Sequence, residues 1–200
     1  MTDRVEPAPR RRLLRGVLAR LLLRAGLSPN AVTVIGTVGM LVAALGFAAR
    51  GHLIAATVIG AVSSVLDLVD GEMARIGNRV TRFGALLDSS LDRVADGAIF
   101  ACLARWLFTS GDQRAAAAAL LCLVGGTLVS YVRARAEGLG LVGETGIAHR
   151  FARLRLVAVG CLLAGFDVPY GLEVVLWALA ALSLLTAWQR LEFARRQLRA

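Results

Sequence analysis

From about residue 31 almost to the C-terminus, long apolar runs alternate with short polar breaks. The runs fall at about 31–49, 52–74, 84–108, 115–136, 147–166 and 173–189, each close to the roughly 20 residues a helix needs to cross a hydrocarbon core. They predict an all-α polytopic membrane protein with six transmembrane helices, in keeping with a composition that is 57% hydrophobic. Ahead of the first run, "RRRLLRGVLARLLLRAG" sets Leu14, Val17, Leu18, Leu21 and Leu22 on one helical face with arginines mostly elsewhere. That spacing predicts an amphipathic helix lying in the membrane interface, where a simple topology anchor accounts for it at least as well as a substrate role. Residues 1–27 thus read as a cytoplasmic N-terminus carrying this helix, and residues 28–200 as one six-helix membrane domain.

Charge fixes an orientation. All 23 basic residues are arginine, and with the N-terminus inside only Arg50, Arg105 and Arg114 fall on the outer side. Excess positive charge in cytoplasmic loops implies an even number of spans with both termini in the cytoplasm, and the plasma membrane is the expected location. The net charge of +9 follows from this loop bias and from contact with anionic lipid; no soluble basic domain is visible, so nucleic acid is not an expected partner. Cys102, Cys122 and Cys161 fall within predicted spans without metal-ligand spacing and read as packing residues.

One stretch breaks the apolar pattern. "LDLVDGEMARIGNRVTRFGALLDSSLD", residues 66–92, holds Asp67, Asp70, Asp88 and Asp92 at the ends of two neighbouring predicted spans. Residues three or four apart share a helical face, so Asp67 pairs with Asp70 and Asp88 with Asp92, and a short link between antiparallel helices would bring the pairs face to face. A charged side chain in a spanning helix costs about 3 kcal/mol, and clustered like charges add repulsion. Two divalent cations would neutralise four carboxylates, and an all-oxygen set without Cys or His suits Mg²⁺ or Mn²⁺ rather than zinc. An ion-pair network using Arg75, Arg79, Arg82 and Arg93 would settle the same charges without metal. Asp96, one turn beyond Asp92, is expected to make a structural hydrogen bond, and Glu72 to face solvent. Gly71, Ala74 and Gly84 remove bulk beside the carboxylates and Arg75 offers a guanidinium fork, a combination suited to a pyrophosphate.

These residues, Asp67-x2-Asp70-Gly71-x2-Ala74-Arg75-x8-Gly84-x3-Asp88-x3-Asp92, resemble the CDP-alcohol phosphotransferase motif at all eight fixed positions. The resemblance implies a six-span membrane enzyme, usually a homodimer, that transfers a substituted phosphoryl group from a CDP-linked donor to an alcohol and releases CMP. It makes Asp67, Asp70 and Asp88 metal ligands and Asp92 both ligand and general base. Gly71, Ala74, Arg75, Thr81 and Gly84 would contact CDP-diacylglycerol. "SPNAVT" resembles a further donor-lining segment, implicating Asn30, Ala31, Val32 and Thr33; by itself Pro29–Asn30 signals only a helix start.

Arg133, Arg153 and Arg190 fall near the cytoplasmic ends of the fourth, fifth and sixth predicted spans, where they would form a phosphate pocket for the acceptor or simply set topology. Their segments resemble acceptor positions of actinobacterial phosphatidylinositol phosphate synthases, which implies inositol 1-phosphate as acceptor, with glycerol 3-phosphate or another phosphorylated polyol as the alternative. The subgroup pattern has Lys where Arg133 stands and a Glu-Arg-x-Glu-Arg run where this chain reads His149-Arg150-Phe151-Ala152-Arg153. A cation or proton transporter is the competing class, disfavoured because the carboxylates gather near one face beside an Arg, without a broken-helix repeat.

Overall fold

The computed structural model describes residues 9–141 and 150–199, with side chains from Leu14 onward. Among these, every regular element is helical: α1 Pro9–Arg24, α2 Pro29–Leu41, α3 Leu53–Ile76, α4 Arg82–Thr109, α5 Gln113–Gly138, α6 Arg150–Gly165 and α7 Gly171–Gln197. Local chemistry sets several ends. Ser28 Oγ accepts from Ala31 N–H at 3.2 Å with Pro29 in the first turn of α2, and Asp112 accepts from Ala115 N–H at 3.0 Å at the start of α5. Gly26 (φ 82°) stops α1, and Asn78 (φ 53°) stops α3.

Past Leu41 the helical path continues as a π segment, Val42–Phe47, and a 3₁₀ turn, Ala48–Arg50. The wider winding loosens the carbonyl ladder, and Arg50 Nη1 donates to the carbonyls of Leu45 and Gly46.

Four of the helical stretches, Pro29–Arg50, Leu53–Ile76, Gln113–Gly138 and Gly171–Gln197, are long and apolar enough to cross a membrane. The protein is a membrane protein. Of the other two predicted spans, α4 carries Asp88, Asp92, Arg93 and Asp96 through its first turns and middle, and α6 is described only from Arg150 to Gly165. The first residues of the predicted fifth span, and His149, lie outside the described residues.

The chain forms two compact units, one of residues up to Met40 with Ile59–Ala95, the other of Leu41–Val58 with Asp96 onward. In the first, Ala19, Val32, Val69 and Met73 form the core, with Leu18, Leu22, Leu23, Leu27 and Leu66 packed around it. The apolar stripe of α1 is therefore shared between two surfaces: Leu18 and Leu22 join the core, while Leu14, Val17 and Leu21 point outward. In the second, α5 and α6 each pack along α7. The small side chains Ala115, Ala116, Ala118 and Ala119 let helices approach Phe100, Leu103, Leu176 and Leu179 closely. All three cysteines are buried and free, and Cys122 Sγ donates to the Leu176 carbonyl at 3.2 Å.

Candidate active site

The carboxylates are brought together by a tight reversal between α3 and α4. Gly77 and Arg79 N–H groups close the end of α3 by donating to the carbonyls of Met73 and Ala74, each at 2.8 Å. Thr81 Oγ1 then accepts from Gly84 N–H at 2.9 Å and caps α4. Asp67 and Asp70 near the end of α3 thereby meet Asp88 in the second turn of α4, one oxygen from each lying within 4.8 Å of the others. Asp70 is buried and held at both oxygens: Thr33 Oγ1 donates to Oδ2 and Gly71 N–H to Oδ1. Three converging carboxylates without His or Cys form a hard-oxygen donor set, which fits Mg²⁺ or Mn²⁺ and gathers charge that a cation would offset.

Asp92 falls outside this three-carboxylate set; its carboxylate lies 3.9 Å from the Arg93 guanidinium. Arg75 does not join the aspartates, since its Nη1 donates to Glu72 at 2.9 Å and its side chain is exposed.

A cleft of about 220 Å³ adjoins the carboxylates. Of the residues that the sequence suggested for donor contact, Asn30, Thr33, Gly71, Ala74, Arg75, Thr81 and Gly84 line it, together with Asp70 and Asp88. Ala31 and Val32 do not, and Val32 is sealed in the core beneath α1. The two glycines differ in role. A Cβ at Gly84 would press at 3.0–3.1 Å on Thr81 Oγ1 and Asn30 Oδ1, so those side chains would have to give way by a few tenths of an ångström. A Cβ at Gly71 would meet no atom within 4 Å, so what Gly71 clears is cleft. Arg79 and Val80 also line the cleft. Their place in the reversal between α3 and α4 is the one signal that would have found them.

In the second unit, Arg153 and Arg190 are buried, unusual for guanidinium groups unless they are held. Arg190 Nη1 donates to the Val129 carbonyl at 2.7 Å and lies within electrostatic range of both Arg133 and Arg153. Arg133 pairs with Glu137 at 2.8 Å. Arg153 pairs with Asp96 at 2.9 Å, and Arg150 approaches the same carboxylate at 3.4 Å. The sequence thus anticipated the hydrogen bonding of Asp96 but not its partners.

The family model for CDP-alcohol phosphatidyltransferase matches residues 26–188. The chain belongs to this family. It is a phosphatidyltransferase of the CDP-alcohol class, as its aspartate motif led us to expect. Phosphatidylinositol phosphate synthase of Mycobacteroides abscessus is 42% identical over 180 residues, 89% of this chain and 82% of that protein. The enzyme of the same name from Corynebacterium glutamicum is 41% identical over 182 residues, 88% of this chain and 82% of its own. Among solved structures, Mycobacterium tuberculosis phosphatidylinositol phosphate synthase with CDP-DAG bound superposes with a TM-score of 0.85 at 39% identity, covering 90% of this chain and 92% of that one. The same enzyme in complex with manganese and citrate gives a TM-score of 0.86 at 38% identity, covering 90% and 88%.

Proposed function

We propose that this phosphatidyltransferase moves the phosphatidyl group of CDP-diacylglycerol onto a hydroxyl of inositol 1-phosphate, releasing CMP and forming phosphatidylinositol phosphate. The observation that carries this reading is the convergence of Asp67, Asp70 and Asp88 beside a cleft whose Gly71 opens onto empty space, in a chain about 40% identical to enzymes of that name. The three carboxylates, with Asp92 in the four-ligand arrangement that the motif implies, would hold two Mg²⁺ or Mn²⁺ ions. Such ions, when bound, offset the charge of the pyrophosphate oxygens and ease departure of CMP.

The remaining chemistry belongs to the side chains. Asn30, Thr33, Gly71, Ala74, Arg75, Thr81 and Gly84 are the proposed donor contacts, supported by their place on the cleft, while Ala31 and Val32 shape the first turn of α2 behind it. Asp92, outside the three-carboxylate set, is the proposed general base. It accepts the proton of the acceptor hydroxyl as that oxygen attacks the β-phosphorus, and the bond from phosphorus to the CMP oxygen breaks with its electrons leaving on CMP. Arg133, Arg153 and Arg190 are the proposed anchors of the acceptor's phosphate, supported by Arg190 lying within electrostatic range of the other two in the second unit. Ala152 in place of a carboxylate favours a second reading, in which another phosphorylated polyol such as glycerol 3-phosphate is the acceptor.

The distribution of the arginines supports six spans, both termini and the reaction on the cytoplasmic side, and residence in the plasma membrane. Residues 28–200 form one membrane domain in this proposal, working as a homodimer.

Purified protein in detergent, given CDP-diacylglycerol and Mg²⁺ or Mn²⁺, should release CMP with inositol 1-phosphate and not with inositol. CMP with glycerol 3-phosphate alone would move the assignment to the second reading, and no CMP with any alcohol would remove the proposal. Asp92→Asn should lower turnover by a factor of at least about 100 while donor binding persists; retained turnover would place the base elsewhere.

A further inference from the structure

Arg153 is 3% exposed, yet its Nε–H has no hydrogen-bond partner among the described residues. A buried donor left unused is costly, and more so on a charged group. Its guanidinium packs against Gly126, where an added Cβ would make ordinary van der Waals contact with Cζ at 3.5 Å and with Nε and Nη2 at 3.6 Å. Its far end is held. Asp96, 8% exposed, accepts from Arg153 Nη2 at 2.9 Å through Oδ2, and its Oδ1 lies 3.4 Å from Arg150 Nε.

Arg150 and Arg153 share the first turn of α6, a helix with no acidic residue in that turn. The carboxylate that orders them comes instead from α4, across more than fifty residues of sequence. It grips the turn at two points and leaves one guanidinium edge of Arg153 to donate. Charge follows the same logic. Of the described residues that make these contacts, Arg133, Arg150, Arg153 and Arg190 are positive and Asp96 and Glu137 negative, a basic surplus suited to an anion. A phosphomonoester carries between one and two negative charges near neutral pH.

We propose that Asp96 is a positioning residue for acceptor recognition: by holding Arg153 and Arg150 it aims the unpartnered Nε–H of Arg153 at the phosphate of the incoming polyol, and so sets the preference for phosphorylated over unphosphorylated acceptors. This rests on the reading that the arginines bind the acceptor's phosphate.

The test uses the full chain in detergent with initial rates of CMP release, varying inositol 1-phosphate and CDP-diacylglycerol separately, and inorganic phosphate as a competing probe. Asp96→Asn should raise the acceptor KM and the inhibition constant of inorganic phosphate together, each at least about tenfold, with the donor KM within about twofold of wild type. Asp96→Glu should recover most of the loss. Should Asp96→Asn not fold, Arg150→Gln removes the longer of the two contacts and should raise the acceptor KM by about threefold. An acceptor KM that stays within twofold, that falls, or that rises only in step with the donor KM overturns the inference while leaving the transferase reading intact. Wild-type turnover with inositol but not with its phosphate overturns both.

Discussion

Thr33 and Asp70 stand 37 positions apart, and one hydrogen bond joins them. Both are buried, so the hydroxyl has little competition from water and holds the carboxylate in one orientation. Thr33→Val keeps the shape and removes the donor. It should weaken Mn²⁺ binding about tenfold or more, read by electron paramagnetic resonance titration, and lower the thermal midpoint, because a buried carboxylate oxygen loses its donor; equal affinity would mean Asp70 is oriented without Thr33. At this scale the sequence was legible wherever helical geometry alone decides. Asp67 and Asp70 share a face because they lie three apart, and the short reversal after Ile76 returns Asp88 to them. It was illegible wherever packing between distant segments decides. No spacing rule says that Thr33 reaches Asp70, that Asp96 reaches Arg153, or that Arg190 bonds the carbonyl of Val129.

The helices themselves began within two residues of expectation wherever a polar break or cap marks the start, as at Pro29, Leu53, Arg82, Gln113 and Gly171. The π segment after Leu41 carried no such mark, because "LVAALGFAAR" satisfies the period of an α-helix equally well. The inward face of α1 was hidden for a related reason: the leucine stripe is wide enough to serve a core and an interface at once, and periodicity does not apportion it. Close helix packing is the main source of order where lipid offers no hydrophobic drive. Gly160 on α6 meets α7 so closely that a Cβ would lie 2.9 Å from Leu172 Cδ1 and 3.1 Å from Val175 Cγ1. Gly160→Val should cost about 1–3 kcal/mol, seen as a lowered thermal midpoint in detergent, whereas Gly138→Ala, with open space around it, should change little. Equal midpoints for the two variants would show that α6 and α7 tolerate separation.

For the whole molecule, lopsided arginine placement and outward apolar side chains act together. Val58, Val62, Val124, Val174, Trp177 and Trp188 are exposed in a way that lipid tolerates and water does not. If both ends are inside as proposed, a fluorescent protein fused to the C-terminus should glow and an alkaline phosphatase fused there should stay inactive; an active phosphatase would reverse the proposed orientation. The membrane character was legible in bulk from hydropathy, while the number of crossings was less so, since α4 carries charged residues of the site within its own length. The build of α1 has a practical corollary. Its inner leucines and Ala19 brace Val69 and Met73, within one turn of Asp70 on α3, while its outer leucines lie open to whatever surrounds the protein. Whatever lifts that amphipathic lever removes the backing of the acidic end of α3 without touching the nucleotide cleft itself.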